Sequence, residues 1–179
     1  MGGLHTGGRH TGGLVVRAST EADVARCAEI YSHHVLHGTA SFEVDPPDLA
    51  EMKKRRAAVL ELGLPHLVAE RDGRIVGYAY AGNWRPRPAY KFSVEDSIYI
   101  DKDAVGQGVG KALLPALIEQ CTALGKKQMV AVIGDSASTP SIRLHASCGF
   151  RMVGTLENIG FKFGRWLDSV LMQRSLGES

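Results

Sequence analysis

Three glycines at alternate positions, Gly106, Gly108 and Gly110, follow a β-rich segment that ends near Ile100 and open an amphipathic segment that runs to Leu124. The first turn of a helix exposes backbone N–H groups that bind phosphate, and glycines let the backbone approach the anion closely. The pattern predicts a phosphate-binding loop. A plain turn with glycine caps is the alternative interpretation.

Two common nucleotide-binding motifs are excluded by the residues at their fixed positions. A P-loop needs glycine where Val105 stands and a hydroxyl residue where Ala112 stands. The dinucleotide-binding fingerprint needs a third glycine where this chain has Lys111 or Leu113. The glycine loop therefore belongs to neither class.

Other residue types that could do chemistry are the paired arginines, the cysteines and the histidines. Arg85 and Arg87 lie in a proline-containing segment, where two guanidinium groups suit bidentate capture of a carboxylate or phosphinate; a solvated basic loop is the alternative. The cysteines are too widely separated for a zinc ribbon or a disulfide framework: Cys27, Cys121 and Cys148. No carboxylate completes the histidine group at 33–37 as a ligand set, so no metal is expected.

The elements that position these residues follow from the periodicity of apolar residues. Helical spacing predicts helices from about Ser19 to Val35, Asp48 to Leu62, Gly108 to Leu124 and Ser138 to Ser147. Apolar and β-rich runs predict strands at 14–17, 66–70, 74–81, 93–100, 128–133, 151–157 and 166–173. Early hairpins followed by a strand–helix–strand unit predict a mixed α/β sheet rather than a doubly wound one.

Composition places the chain among ordinary globular proteins. It has 179 residues, is 44% hydrophobic and carries a net charge of +2, which excludes wholesale disorder and argues against a nucleic-acid or anionic membrane partner. The Gly-rich residues 1–13 are expected to be a flexible tail, and residues 14–179 a single domain. No apolar run is long enough to cross a bilayer, so we expect a cytoplasmic protein.

The strand and glycine loop at 98–112 resemble the acyl-CoA pyrophosphate site of the GCN5-related N-acetyltransferase (GNAT) family. Four further segments resemble its phosphinothricin and methionine sulfoximine acetyltransferase branch: Ala-Tyr-Ala-Gly-Asn-Trp-Arg (79–85), Val-Glu-Asp-Ser-Ile-Tyr-Ile (94–100), Ser-Ile-Arg-Leu-His (141–145) and Gly-Phe-Lys-Phe-Gly-Arg-Trp-Leu-Asp (160–168). The resemblance covers nearly all of 15–174. It implies the GNAT fold, in which helices flank a mixed and mostly antiparallel sheet, and an acetyl-CoA-dependent N-acetyltransferase that needs no metal.

For the coenzyme, the resemblance implies backbone contacts along the strand and the loop. Ile98, Tyr99 and Ile100 would bind the pantetheine arm, and one N–H there would polarise the thioester carbonyl. The pyrophosphate would lie in the loop of Gly106, Gln107, Gly108, Val109, Gly110 and Lys111. Two positions depart from the pattern: Val105 replaces a polar residue, and Ser138 stands where the branch often has asparagine.

For catalysis, the resemblance assigns proton removal from the amine to Glu95, directly or through water, because an ammonium cannot attack a thioester. It places His145 where relatives carry the group that assists the departing thiolate. The sequence leaves the division of acid and base roles between the two residues open.

For the acceptor, the resemblance matches Arg85, Arg87 and Tyr90 to the branch's substrate-binding loop and Phe42 to an aromatic residue near the same pocket, although core packing explains Phe42 equally well. The expected substrate is the α-amine of phosphinothricin, methionine sulfoximine, methionine sulfone or a similar small molecule. The branch also implies a homodimer, in which the positions of Leu114 and Ser169 contribute across the interface.

Two other functions remain open from the sequence. Another GNAT acceptor, such as a polyamine, an aminoglycoside or a protein N-terminus, is one; the charges of Arg85 and Arg87 argue against polycations. A non-catalytic acyl-CoA sensor is the other, and the presence of both Glu95 and His145 favours the enzyme.

Overall fold

Four α-helices and eight β-strands form in residues 10, 11 and 13–177, the part of the chain that the computed structural model describes. The helices are α1 (Val24–His37), α2 (Leu49–Glu61), α3 (Val109–Ala123) and α4 (Thr139–Ser147). The strands are β1 (His10–Thr11), β2 (Leu14–Ala18), β3 (His66–Arg71), β4 (Arg74–Asn83), β5 (Ser93–Ile100), β6 (Gln128–Gly134), β7 (Arg151–Lys162) and β8 (Arg165–Ser175). The strand predicted to end at Glu157 continues to Lys162 past an irregularity between Leu156 and Gly160.

The described strands form one sheet in the order β1-β2-β3-β4-β5-β6-β8-β7. The β5–β6 pair is parallel, and the other pairs recorded for this sheet are antiparallel. The parallel pair is the one joined by a helical crossover, α3, as a parallel connection requires. The predicted mixed, mostly antiparallel sheet flanked by helices is confirmed.

The parallel ladder between β5 and β6 is short. Its pairing begins at Ser93 with Gln128 and stops at Asp96 with Ala131, although both strands continue. Beyond this point residues 97–100 remain partly exposed in the centre of the sheet. The sheet therefore splits along its middle and leaves a cleft between the two strands.

Helices cover the two faces of the sheet. Side chains alternate between faces along a strand, so Tyr78 packs with α1 and α2 while Ala79 packs with α3. α3 lies very close to β4, because a Cβ at Gly77 would come within 2.7 Å of the Val109 Cγ1. Each face has its own apolar cluster, and the cleft opens between them.

Residues 1–9, 12, 178 and 179 lie outside the described residues, and most of the predicted tail falls among them. Within that tail, His10 and Thr11 pair with Val15 and Leu14 as the edge of the sheet. Among the described helices, none combines the length and apolar character that a membrane span needs.

Candidate active site

The cleft between β5 and β6 opens into a cavity of about 300 Å³. Its walls come from the loop after α1, from both split strands and from α4. The lining residues are Ala40, Ser41, Phe42, Glu95, Asp96, Ser97, Ile98, Tyr99, Ala131, Val132, Ile133, Gly134, Ser138, Ser141, His145 and Ser169. The structure thus brings six sequence-predicted site residues to one cavity: Phe42, Glu95, Ile98, Tyr99, Ser138 and the buried His145.

The backbone of β5 presents free groups to this cavity. The N–H of Asp101 donates to the Val76 carbonyl, and the carbonyl of Ser93 accepts from the Trp84 N–H, so the odd-numbered residues bond to the β4 side. Neighbouring residues in such a ladder point their backbone groups to opposite sides. The N–H and C=O groups of Ile98 and Ile100 therefore face the cleft, where β6 no longer pairs with them.

One of these groups already has a partner from α1. The His34 Nε2 lies 2.7 Å from the Ile100 carbonyl oxygen. A carbonyl only accepts, so the proton of this imidazole is on Nε2. Burial lowers the pKa of His34 and opposes a second proton. His34 therefore fixes the end of the strand against α1 as a neutral donor.

The glycine loop joins β5 to α3 in a backbone shape that requires glycine. Gly106 and Gly108 have φ of 76° and 83°, a region that side chains with a Cβ disfavour, and nothing lies within 4 Å of either added Cβ. Gly110 serves packing instead, because a Cβ there would lie 2.8 Å from Leu144 Cδ2. The first N–H groups of α3, at Val109, Gly110 and Lys111, have no carbonyl partner within the helix. An anion fits at this end.

The side chain of Gln107 is held by the protein itself. Its amide donates to the Asp103 carbonyl, and its side-chain and backbone oxygens accept from Arg71. Its backbone N–H donates to Ala104. Gln107 thus braces the loop, and its part in binding coenzyme stays a prediction. Lys111 is exposed on the first turn of α3.

Glu95 lies half-buried at the point where the sheet splits. Burial raises the pKa of its carboxyl, the charge of Asp96 adds to the rise, and Arg85 opposes it. A carboxylate with a raised pKa holds a proton more readily and is a stronger base toward an ammonium than an ordinary glutamate. Alternation along β5 places Glu95 on the face of Tyr99 and α1, opposite to Asp96.

His145 lies on α4 and is fully buried. Its Nε2 is 2.9 Å from Asp96 Oδ2, and its Nδ1 is 2.8 Å from the Ser141 carbonyl oxygen. Burial on its own lowers the pKa of His145, but the hydrogen bond and charge of Asp96 outweigh it, so the pKa is raised. Glu95 and His145 border the same cavity from opposite faces of the sheet.

Phe42 fills a slot between two strands that lack side chains there. A Cβ at Gly160 would lie 2.4 Å from its ring, and a Cβ at Gly134 would lie 2.8 Å from it. The ring is 37% exposed and lines the cavity, so it forms wall rather than core. Its part in binding substrate stays a prediction.

The loop that carries Phe42 is tied down by Lys162, which sequence reasoning missed. The ammonium of this buried lysine donates to the carbonyls of Gly38 (2.9 Å) and Ser41 (2.7 Å). A lysine beside a hairpin turn ordinarily points into solvent, so no sequence signal identifies it. Tyr31 adds a bond to Ser41 on the other side. The acceptor-side wall is therefore a fixed loop.

The predicted arginine loop lies outside the cavity. Arg85, Arg87 and Tyr90 are exposed in the segment between β4 and β5, and the Arg85 guanidinium stacks 4.9 Å over the Trp84 ring. Arg85 is close enough to lower the pKa of Glu95. The loop flanks the Glu95 side of the cleft, and its grip on a substrate stays a prediction.

Two further residues differ from what the sequence indicates. Leu114, matched to a dimer-contributed position, is fully buried in the core of its own chain and cannot reach a partner; that inference is wrong. Ser169 lines the cavity of its own chain. Asp96, the partner of His145, was missed because the two lie 49 residues apart in sequence. No group of three or more metal-ligating side chains occurs in the described part of the chain.

Comparison with known proteins supports the acetyltransferase family that the sequence indicates. Residues 16–171 match the acetyltransferase (GNAT) domain family. The chain is 56% identical over 161 residues to the phosphinothricin N-acetyltransferase of Alcaligenes faecalis, across 90% of this chain and 82% of that protein. It is 39% identical over 165 residues to the L-methionine sulfoximine/L-methionine sulfone acetyltransferase of Salmonella typhimurium, across 92% and 96%.

A solved relative shares the fold closely. The crystal structure of a GNAT superfamily phosphinothricin acetyltransferase from Sinorhizobium meliloti, in complex with acetyl-CoA, superposes with a TM-score of 0.89 at 47% identity and covers 92% of this chain and 89% of that one. The sequence-based assignment to the family is confirmed, with acetyl-CoA as the co-substrate. The split sheet, the glycine loop on α3 and these relatives lead to one conclusion: the chain belongs to the GNAT acetyltransferase family.

Proposed function

We propose that this protein transfers the acetyl group of acetyl-CoA to the α-amine of a small amino-acid-like substrate with a tetrahedral, oxygen-bearing end, such as phosphinothricin or methionine sulfoximine. The observation that carries the proposal is the end of the β5–β6 ladder at Asp96, which exposes the Ile98 N–H beside the half-buried Glu95 in one cavity. The activities named for the Alcaligenes faecalis and Salmonella typhimurium relatives support the substrate class.

The residues divide the work as follows. Glu95 takes a proton from the substrate ammonium, and the free amine then forms a C–N bond at the thioester carbonyl. The Ile98 N–H donates to the carbonyl oxygen and stabilises the negative charge that develops there. The C–S bond breaks, its electron pair goes to sulfur, and the thiolate takes up the second proton that the nitrogen loses as it becomes an amide. The loop of Gly106 and Gly108 and the first turn of α3 hold the pyrophosphate.

The acceptor enters from the face on which Glu95 and Phe42 lie. The arginines at 85 and 87 supply positive charge on that side, which favours a substrate with an anionic far end and repels a polyamine. A substrate without matching oxygens would leave the N–H groups of these arginines unpaired, and this would lower its rate of acetylation. The wall of Phe42 and the fixed loop around Ser41 limit the length of the substrate.

The protein is proposed to act as a cytoplasmic homodimer. β7 is the edge strand of the sheet, and the β7–β8 hairpin exposes large apolar side chains: Met152, Val153, Leu156, Ile159, Phe161, Phe163 and Trp166, each between 47% and 61% exposed. Large exposed apolar side chains on an edge strand are typical of a surface that another chain covers. We infer that a second copy of this chain covers this surface.

A thiol-release assay with a panel of acceptors tests the proposal. Free thiol should appear fastest with phosphinothricin, methionine sulfoximine or methionine sulfone, more slowly with methionine, and slowest with spermidine. Faster turnover of spermidine than of methionine sulfoximine would overturn the substrate class and leave the acetyltransferase assignment intact. Tight binding of acetyl-CoA without turnover of any amine would instead favour a sensor.

A further inference from the structure

Asp96 and His145 form a buried pair that the proposed reaction has not used. Asp96 belongs to β5 and His145 to α4, and each side chain is 2% exposed. Both residues border the cavity, on the face opposite to Glu95. The Nε2–Oδ2 distance of 2.9 Å requires a hydrogen bond between them.

The hydrogen-bond partners fix the number of protons on this pair. The Nδ1 of His145 faces the Ser141 carbonyl oxygen at 2.8 Å, and because a carbonyl only accepts, Nδ1 carries a proton. Nε2 faces a carboxylate oxygen, so a second proton must lie between Nε2 and Oδ2. A neutral ring beside an ionised Asp96 would put two lone pairs against each other. The pair therefore binds this second proton strongly.

The second carboxylate oxygen of Asp96 has no hydrogen-bond partner to share its negative charge, so the bond to His145 must offset that charge. Oδ1 is buried and has no hydrogen-bond partner among the described residues. A buried carboxylate without a compensating charge is strongly unfavourable. His145 is the cation that supplies it, and a ligand or water that enters the cavity can donate to Oδ1.

Among the described residues, the elements packed around the pair bring few ionisable groups close to it. The ring edge meets the apolar Phe150 at 5.1 Å between centroids. On α3, burial raises the pKa of the Cys121 thiol to about 12, so this neighbour is neutral. β6 supplies only apolar side chains, Ala131 and Ile133, and Glu95 of β5 faces the opposite side of the sheet.

We propose that Asp96 is a positioning residue that holds His145 as an imidazolium with both N–H groups engaged, so that His145 cannot accept the proton of the substrate amine and Glu95 is the base. The inference rests on the proposed function, and it assigns the base role, which the sequence leaves open between Glu95 and His145. His145 contributes a fixed cation that orders the wall of the cavity between β5 and α4.

Nitrogen-15 NMR of the full-length enzyme with labelled histidine tests this directly, with the His145 signals assigned from a His145→Gln variant. At neutral pH both ring nitrogens should show the shift of a protonated nitrogen, and the titration midpoint should lie above the ordinary histidine value of about 6.5. A ring with one unprotonated nitrogen at neutral pH would overturn the proposal.

The acidic limb of kcat/KM, measured on the same preparation with methionine sulfoximine, should have its midpoint below the NMR midpoint of His145, because it belongs to Glu95. Coincident midpoints would make His145 the base and contradict the proposal. The NMR titration needs no acceptor, so it decides the state of the pair even if the proposed substrates are not turned over.

An Asp96→Asn variant supplies a second reading. Without the carboxylate, burial favours the neutral ring, and the His145 midpoint should fall below about 6.5. Glu61→Gln, which removes an exposed carboxylate at the end of α2, should leave the midpoint unchanged. An unshifted midpoint in a folded Asp96→Asn variant would contradict the proposal, and the wild-type spectrum decides if that variant does not fold.

Discussion

At the scale of single residues, Glu95 and Asp96 show how neighbouring carboxyl groups can lie in two different environments. They are neighbours in β5, but alternation sends Glu95 toward α1 and the acceptor side and Asp96 toward α4 and His145. Glu95 is half-buried beside an exposed arginine, whereas Asp96 is fully buried against a histidine. The same functional group, a carboxylate, therefore has no recorded ion-pair partner among the described residues on one face and is hydrogen-bonded to His145 on the other.

Replacement of Glu95 by glutamine should lower kcat by about 10²–10⁴-fold, the range typical of a general base. The KM for acetyl-CoA should stay near the wild-type value, because the coenzyme contacts proposed here come from backbone groups. Steady-state kinetics at neutral pH measure both. An unchanged kcat would show that another group takes the proton.

The pH dependence follows from the direction of the Glu95 pKa. Only the ionised carboxylate accepts a proton, so wild-type kcat/KM should fall as pH falls through the Glu95 pKa, at a pH above the ordinary value of about 4.3 for glutamate. Arg85→Gln removes the charge that opposes the rise and should move this limb to higher pH. Arg143→Gln, at an exposed position on α4, is the matched control and should leave the limb in place.

At the scale of elements, the cleft depends on where α3 begins and where the β5–β6 ladder ends. Most element positions were predictable, because apolar periodicity marks α1 to α4 and the strands of the core. The end of the β5–β6 ladder at Asp96 was not predictable from periodicity, because residues 97–100 keep a strand pattern although they no longer pair with β6. The ties of Lys162 and the slot for Phe42 were missed because they join segments more than 90 residues apart.

The loop before α3 gives a prediction for coenzyme binding. Gly108→Val forces a β-branched residue into φ of 83°, a strain of about 1–3 kcal/mol on the loop, and places methyl groups where the backbone should meet the pyrophosphate. Calorimetry should show severely weakened acetyl-CoA binding for this variant and a much smaller loss for Lys111→Ala. Equal and small losses would contradict the phosphate-binding loop.

The hydrogen bonds of Lys162, which join β7 to the loop after α1, give a prediction about binding of the amino-acid substrate. Lys162→Met leaves the carbonyls of Gly38 and Ser41 without their donor, and bonds to a charged group contribute about 1.5–3 kcal/mol each. The freed loop should raise the KM for the amino-acid substrate while the KM for acetyl-CoA stays unchanged. An exposed lysine on α2, Lys54→Met, is the control. A larger effect on acetyl-CoA than on the acceptor would contradict this role.

At the scale of the whole molecule, the fold class and the family were readable from the sequence because several ordered segments, from 79 to 168, agree on one branch. The chemistry of the site was readable only in part. Glu95 and His145 stand in those segments, but the Asp96–His145 pair and the exposed hairpin of β7 and β8 depend on contacts and surfaces that form only after folding.

The exposed hairpin predicts self-association. Phe161 and Trp166 contact each other edge to face, and both are more than half exposed. Sedimentation velocity should show a dimer for the wild type and a monomer for Phe161→Glu, because a charge in an apolar interface loses its hydration. Val44→Glu, at an exposed apolar position after α1, should remain dimeric. A monomeric wild-type protein would show that the hairpin has another role.

The position of the transferred acetyl group tests the central claim most directly. Methionine sulfoximine has two nitrogens, and the proposed function requires its α-amine to lie at Glu95 and its tetrahedral end toward the arginine loop. With carbonyl-labelled [¹³C]acetyl-CoA, NMR of the product should show a single labelled amide on the α-nitrogen. Label on the sulfoximine nitrogen, or no transfer to this substrate, would contradict the account.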